Sequence, residues 1–222
     1  MADRIAAAYE IYFPQHARGR LIDLGCGKVP LYEAYKDYVT EIVCVDWDET
    51  LHGTEHLDYR CDLSRELPFR DAEFDTIVLS DVLEHVPEPE RLWRELARLL
   101  TPAGKGLINV PFYYYLHETP HDYYRYTEYA LRRFAERAGL QVLVLQPLGG
   151  SPEVIADLLA KHFAQVPLIG GPMAAVVQSA AALFGRTRFG RRLSEKSARA
   201  FPLGYFLVVR KPESQSGPAA LE

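Results

Sequence analysis

The sequence predicts an α/β fold with a doubly wound, largely parallel sheet. Short apolar runs alternate with helical patterns, and a glycine turn or an acidic residue follows several of these runs. Continuous runs of Val, Ile and Leu are typical of strands that are buried on both faces of a parallel sheet. Because ligands bind beyond the carboxyl ends of such strands, functional residues are expected directly after them.

Seven strands are predicted along the chain. They cover 20–25, 41–46, 57–63, 74–81, 106–111, 141–146 and 204–211, and the third is the weakest. "PLYEAYKDYV" is predicted to be a helix. The segment after Pro87 forms another, with Leu92, Leu96, Leu99 and Leu100 on one face and an end near Pro102 and Gly104.

A further helix is predicted to begin after Thr127 as N-cap and to stop at Gly139. Two helical patterns interrupt the alternation within 151–200. One starts at Ser151-Pro152 and directs Ile155, Leu158, Leu159 and Phe163 inward, and the other starts at Pro172. The chain is therefore interpreted as one domain, 1–212, with a helical insertion at about 151–200 and a disordered tail, 213–222.

Composition excludes several classes of protein. The formal net charge of −5 gives no general attraction for nucleic acid. Three cysteines without a CxxC pair favour neither a disulfide framework nor a zinc site, so a cytoplasmic location and no metal are expected. The sequence shows no signal peptide and no apolar stretch of the roughly 20 residues that cross a membrane.

The strongest motif is "LIDLGCGKVP", which places Gly25 and Gly27 between a strand and a helix. Such a turn lets the backbone approach a ligand closely. Asp46 ends the second strand about 20 residues later, where a carboxylate can accept both hydroxyls of a ribose. Val29 and Pro30 replace the third glycine of a dinucleotide fingerprint, which counts against NAD.

From about Leu21 to Lys211 the chain resembles the class I S-adenosylmethionine (SAM)-dependent methyltransferases. The resemblance rests on "LIDLGCGKVP", "VCVDWD" and "CDLSRELPFRDAEFDTIVLSDVLEHVPEPERLWRELARLLTPAGKGLINVP", in that order. It implies a Rossmann-like seven-stranded sheet whose last strand is antiparallel, and SAM as cofactor with S-adenosylhomocysteine as product.

The resemblance also implies a set of cofactor-binding residues. Asp23 with the turn of Gly25, Cys26 and Gly27 would hold the methionine part of SAM, and Asp46, followed by Trp47, would hold the ribose. Asp62 and Leu63 would lie beside the adenine, and Ser80 would face the amino group. Acidic side chains and free backbone N–H groups suit a ligand that carries two cations and a carboxylate.

Candidate catalytic residues follow the fourth and fifth strands. His85, in "SDVLEHVPEP" next to Glu84, can accept a proton from a hydroxyl or an amine, although capping a helix or stacking on the cofactor is equally compatible with the sequence. The stretch "PFYYYLHETPHDYYRYTEYAL" is predicted to be a strand end, a loop over the cleft (116–126) and a helix start. The candidates in this loop are His117, His121, Asp122, Tyr124 and Arg125.

"HETPHDYYRYT" also resembles a pattern in bacterial methyltransferases associated with surface polysaccharide and other sugar-linked biosynthesis. Together these observations predict methyl transfer to O or N of a small polar acceptor, with a sugar or glycan precursor as the leading candidate. Two alternatives stay open: a SAM-binding regulatory or scaffold protein without turnover, and an NAD(P)-dependent oxidoreductase.

The insertion gives a separate prediction. An apolar helix is followed by a run of basic residues, and this pattern within 172–199 is compatible with peripheral contact with the inner membrane. Packing on the fold or a homodimer explains the same pattern.

Overall fold

The computed structural model describes residues 2–47 and 56–213. Among these residues it has one seven-stranded sheet, in the order β3-β2-β1-β4-β5-β7-β6. The strands are β1 Arg20–Leu24, β2 Glu41–Asp46, β3 Tyr59–Arg60, β4 Phe74–Ser80, β5 Leu100–Pro111, β6 Gln141–Leu148 and β7 Gly204–Arg210. All strand pairs are parallel except those that β7 makes with β5 and β6, so the predicted fold, including its antiparallel last strand, is confirmed.

Helices cover both faces of the sheet. They are α1 Ala2–His16, α2 Tyr32–Tyr35, α3 Pro89–Leu99, α4 Glu128–Arg137, α5 Ser151–Ala164, α6 Gly170–Arg186 and α7 Arg188–Ser197, with 3₁₀ turns at Lys36–Tyr38 and Leu83–His85. Trp93 and Leu96 of α3 and Leu131 of α4 belong to the core on one face. Tyr9 of α1 and Tyr35 of α2 belong to the core on the other. The predicted N-cap, Thr127, accepts a hydrogen bond from Ala130 N–H.

Helix α1 was missed by the sequence reading, which considered this segment only as a targeting signal. Its Tyr9 and Phe13 are fully buried against the sheet, so packing stabilises a helix that Pro14 would not favour. The hydroxyl of Tyr9 donates a hydrogen bond to Asn109 Oδ1 at 2.9 Å. This missed helix therefore reaches the carboxyl end of β5.

The predicted end of the helix after Pro87, which is α3, was wrong by a few residues. Helix α3 ends at Leu99, and β5 begins at Leu100 and includes Pro102 and Gly104. The β4–β5 register shifts between the Phe74 and Thr76 pairings, which indicates an irregular start to the strand. Irregular strand starts tolerate proline, so Pro102 does not end the element.

The insertion has three helices where the sequence predicted two. Helix α5 begins after Gly150, whose N–H donates to Glu153 Oε2 at 2.9 Å, so the N-cap lies one residue before Ser151. Its buried side chains are Val154 and Ala160. The predicted inward face was wrong, because Ile155, Leu158 and Leu159 are 58%, 42% and 43% exposed and Phe163 is half-buried.

The physical reason is close packing of the insertion on itself. A Cβ on Gly170 would lie 2.2 Å from Phe163 O, and one on Gly190 would lie 2.1 Å from Phe184 O. The helices thus approach through backbone contacts at their ends and leave large apolar side chains outside. The predicted tail lies outside the described residues from 214 onward.

Candidate functional site

A cavity of about 740 Å³ lies at the carboxyl ends of β1, β2 and β4. One side of it, called the strand wall, contains all nine residues expected to bind the cofactor: Asp23, Gly25, Cys26, Gly27, Asp46, Trp47, Asp62, Leu63 and Ser80. The other side is formed by His85 and by the aromatic loop, residues 116–126. The cavity thus lies at the edge of the sheet where the topology rule expects a ligand.

The glycine turn brings backbone to the edge of the cavity. Gly25 has φ +72°, and a Cβ there would lie 2.4 Å from Val82 Cγ2. Its N–H donates to Val45 O at 2.7 Å. A side chain at this position would be strained and would displace Val82, which also lines the cavity.

Asp46 joins the turn to the end of β2. Its two carboxylate oxygens accept the N–H groups of Gly27 at 2.8 Å and of Trp47 at 2.7 Å. Asp46 thus ties the glycine turn to the end of β2 at the edge of the cavity.

Asp23 is a buried acid in the strand wall, with 2% of its surface exposed. Burial raises its pKa to about 7, although the hydroxyl of Tyr35 opposes the shift by donating a hydrogen bond at 3.0 Å. Such a carboxylate would gain from a cation placed next to it. The strand wall thus suits a ligand with positive charge, as SAM has.

Asp81 is a second acid of the cavity that sequence reasoning missed, and it is half-buried. It follows β4 directly with φ +51°, and its Oδ1 accepts a hydrogen bond from Asn109 Nδ2 at 2.8 Å. Burial raises its pKa to about 6. Its position directly after a strand was the signal that could have found it.

The aromatic loop is fixed to the segment after β4 by four hydrogen bonds. Tyr123 N–H donates to Glu84 O at 2.9 Å, and the hydroxyls of Tyr124 and Tyr126 donate to Pro87 O and Leu83 O at 2.9 and 3.1 Å. The fourth joins His85 Nδ1 and the carbonyl oxygen of His121, 2.7 Å apart.

The same loop meets the strand wall across the cavity. The rings of His121 and Trp47 are in edge contact, with centroids 5.2 Å apart. His121 and Tyr123 line the cavity from this side, as do Glu118 and Thr119. The loop therefore closes over the region where the cofactor-binding residues meet.

Only two of the six predicted catalytic residues, His85 and His121, line the cavity. Asp122 and Arg125 form a two-pronged ion pair, with N–O distances of 2.5 and 2.8 Å. Arg125 also donates to the carbonyls of Tyr115 and Tyr124. Asp122 and Arg125 therefore hold the loop in its shape. The hydroxyl of Tyr124 donates to the backbone oxygen of Pro87.

His117 lies behind His85. Their Nε2 atoms are 3.2 Å apart, and the pKa of His117 is lowered by burial and by the neighbouring His85. Glu84 Oε1 is 3.8 Å from each of the two Nε2 atoms. These three side chains converge closely enough to hold a metal ion, and the expectation that the chain binds no metal stays a prediction.

Comparisons with known proteins agree with this geometry. A family model for a methyltransferase domain matches residues 22–108. A ubiquinone biosynthesis O-methyltransferase from Coxiella burnetii is 31% identical over 150 residues, which cover 55% of this chain and 64% of that protein. One of the same name from Chromobacterium violaceum is 29% identical over 163 residues, with 60% and 69% covered. The chain thus spans less than two thirds of the Coxiella protein.

Solved structures share the fold at low sequence identity. A SAM-dependent methyltransferase from Archaeoglobus fulgidus has a TM-score of 0.62 at 16% identity, with 95% of each chain covered. A phosphoethanolamine N-methyltransferase from Haemonchus contortus, in complex with S-adenosylhomocysteine, has a TM-score of 0.60 at 17% identity, with 95% of this chain and 53% of that chain covered. These structures therefore show the fold of the chain, and the family model shows that residues 22–108 resemble a methyltransferase domain.

Proposed function

We propose that this chain transfers a methyl group from SAM to an oxygen or nitrogen atom of a small polar acceptor. The observation that carries the proposal is one cavity in which the strand wall faces both His85 and His121. Its volume of about 740 Å³ lies within the roughly 300–1,000 Å³ of ligand pockets.

The strand wall would bind and orient the donor. Bound SAM supplies an electrophilic methyl group on a sulfonium. The carboxylates of Asp23 and Asp81 would stabilise its positive charges, and the oxygens of Asp46 would accept the ribose hydroxyls. The turn at Gly25 leaves room for the backbone to meet the ligand.

The aromatic loop would hold the acceptor and exclude water. Methyl transfer is an in-line displacement, and good alignment of the reactants supplies roughly 7–11 kcal/mol. Among the cavity-lining groups, His121 and His85 are two that can accept a proton from a hydroxyl. Tyrosine faces suit the C–H surfaces of a sugar ring, which supports a sugar or glycan precursor as acceptor.

The curated relatives support oxygen as the methylated atom, since both are ubiquinone biosynthesis O-methyltransferases by name. Fold alone does not establish turnover, because one structural neighbour, at a TM-score of 0.61 and 22% identity, is a [4+2]-cyclase. A binding protein without turnover is thus the alternative to test. Incubation with radiolabelled SAM and panels of phenols, nucleotide sugars and amines separates the two, because only an enzyme transfers label to an acceptor.

The donor site itself is tested by a matched pair of glycines. Gly25 and Gly139 both have positive φ, but a Cβ on Gly139 meets nothing within 4 Å. Gly25→Ala and Gly139→Ala therefore share a strain of about 1–2 kcal/mol, and only Gly25→Ala disturbs Val82 and the cavity. Calorimetry with S-adenosylhomocysteine should show a loss of affinity in Gly25→Ala alone. Equal affinities would contradict the placement of the donor.

We also propose that the insertion contacts an anionic membrane surface. Leu168 of the α5–α6 link, Val176 and Leu183 of α6 and Phe189 of α7 are 66–99% exposed. The exposed basic residues nearby are Arg186, Arg188, Arg191, Arg192, Lys196 and Arg199. Basic residues beside apolar ones favour anionic lipid. Among the described residues, no helix has both the length and the apolar character to cross a membrane.

Vesicle sedimentation tests the membrane proposal. The chain should sediment with vesicles of anionic phospholipid and much less with zwitterionic vesicles, and Phe189→Ser should weaken sedimentation. Ile11→Ser, on α1 and with Ile11 55% exposed, is the matched control. A concentration-dependent dimer that Phe189→Ser dissociates, without vesicle binding, would instead make this surface a homodimer interface.

A further inference from the structure

We propose that Glu84, His85 and His117 bind one divalent transition-metal ion, with zinc as its representative, at the edge of the cavity. The three residues come from two elements, the 3₁₀ turn after β4 and the aromatic loop. Their ligand atoms are Glu84 Oε1, His85 Nε2 and His117 Nε2, and all three lie within 4.8 Å of one another.

The separations suit tetrahedral coordination. The two Nε2 atoms are 3.2 Å apart, and each is 3.8 Å from Glu84 Oε1. Zinc binds imidazole nitrogen at about 2.0–2.1 Å and carboxylate oxygen at about 2.0–2.2 Å, so tetrahedral ligands lie roughly 3.3–3.5 Å apart. Shifts of a few tenths of an ångström would complete the site.

Glu84 supplies an independent argument for a cation. Its side chain is 0% exposed, and neither carboxylate oxygen has a hydrogen-bond partner among the described residues. The distance of 3.8 Å to the histidines is too long for a hydrogen bond. A buried carboxylate without a partner is costly, and a metal ion next to it would remove that cost.

The surroundings of the two histidines already orient them as ligands. His85 Nδ1 lies 2.7 Å from His121 O, and His117 Nδ1 lies 3.3 Å from Asp122 Oδ2. A histidine that binds a metal usually donates its other ring N–H to a carbonyl or a carboxylate, which fixes the tautomer. This arrangement directs the Nε2 lone pair of each ring toward the other and toward Glu84.

The ligand types favour zinc or a similar first-row ion. Two imidazoles and one carboxylate leave at least one coordination position open, as in catalytic zinc sites. Glu118 Oε2, 3.9 Å from His85 Nε2, is near enough to approach the same ion. Because His85 lines the cavity, an open position would face it.

An ion at this place would assist methyl transfer to oxygen, and this use rests on the proposed function. An acceptor hydroxyl that binds the ion loses its proton to water more readily. Its oxygen then forms the O–CH₃ bond while the C–S bond breaks and the electron pair stays on sulfur, giving S-adenosylhomocysteine. Metal binding itself does not depend on this use.

The test is a metal titration of the full chain. Protein dialysed against a chelator is titrated with zinc chloride in competition with a chromophoric indicator. We expect one zinc per chain, and His117→Ala should lose more than the roughly 10–100-fold in affinity that removal of an orienting partner costs. His162→Ala, an exposed histidine of α5, is the matched control and should bind as the wild type does.

Two further measurements keep the test decisive. Cobalt(II) should give visible absorption bands in the wild type that are absent in His117→Ala, and Glu84→Gln should weaken zinc binding if it folds by circular dichroism. Wild-type affinity in folded His117→Ala, or no zinc bound to the wild type, would overturn the proposal. Zinc binding without methyl transfer would leave the site standing and would count only against the proposed function.

Discussion

The strand wall of the cavity consists of the carboxyl ends of β1, β2 and β4, whereas the aromatic loop opposite is held by hydrogen bonds to the segment after β4. In the strand wall, backbone geometry fixes where each side chain points. In the loop, charged and aromatic side chains form hydrogen bonds and ion pairs with other parts of the protein. The difference teaches that a polar residue after a strand can be interpreted directly, while a polar residue within a long loop is as often part of its scaffold.

The ion pair of Asp122 and Arg125 illustrates this point. The Asp122 side chain is 1% exposed, and its Oδ2 also accepts the backbone N–H of His117 at 2.9 Å. The guanidinium of Arg125 holds the pKa of Asp122 well below its usual range. A group expected to touch the acceptor thus organises the loop from within.

The largest expected effect is that of Asp122→Ala. Removal of one partner of a buried ion pair destabilises by about 3–5 kcal/mol. Because the Arg125 side chain keeps 22% exposure, we expect a loss near the lower limit, about 3 kcal/mol, in urea unfolding at pH 7. The lowered pKa stabilises the fold above the usual value of 3.8, so the loss should shrink as pH falls below it.

Glu33→Ala is the control for this prediction. Glu33 pairs with Lys36, but its side chain is 78% exposed, so its removal should cost less than about 1 kcal/mol. If the two variants lose equal stability, the loop is not held by its internal ion pair.

The second effect distinguishes the strand wall by its pH dependence. Burial raises the pKa of Asp23 from 3.8 to about 7. The folded protein therefore loses stability relative to the unfolded chain as pH rises through this range, because only the unfolded chain ionises Asp23 freely. Asp23→Asn removes the charge and should be more stable than the wild type at high pH. Since one pKa unit corresponds to about 1.4 kcal/mol, the gain should be about 2.6 kcal/mol larger at pH 8 than at pH 5.

Urea unfolding at both pH values, without ligand, measures this gain. The same variant should bind S-adenosylhomocysteine more weakly, because the ammonium group of the ligand no longer has the Asp23 carboxylate beside it. A gain that is equal at pH 5 and pH 8 would show that the fold does not raise the pKa of Asp23.

The sheet and the strand wall could be predicted because both depend on local patterns. Sequence spacing alone sets Asp23, Gly25 and Gly27 at the end of one strand and Asp46 at the end of the next. Helix α1 could not be recognised in this way, since its burial depends on contacts with distant strands. Phe163 was expected inward, but local periodicity cannot show that an insertion packs on itself through glycines.

The convergence of Glu84, His85 and His117 could not be predicted either. His117 lies 32 residues after His85, and the two meet only because the loop is fixed to the turn after β4. Sequence spacing identifies metal ligands when they share one element, as in CxxC motifs. Ligands contributed by a folded-over loop carry no such signal.

The smallest expected effect compares two tyrosines of the aromatic loop. Tyr124 and Tyr126 each donate one hydrogen bond to a backbone carbonyl, at 2.9 and 3.1 Å, but Tyr124 is 39% exposed and Tyr126 only 3%. After Tyr124→Phe, water can reach Pro87 O, so the free energy of unfolding should fall by only about 0.5 kcal/mol. After Tyr126→Phe, water cannot replace the lost bond in the interior, and Leu83 O keeps only the long hydrogen bond from Val86 N–H at 3.3 Å, so the loss should be about 1–1.5 kcal/mol. Equal losses in urea unfolding would mean that burial does not set the strength of these contacts, and that water enters the loop as far as the turn that carries Glu84.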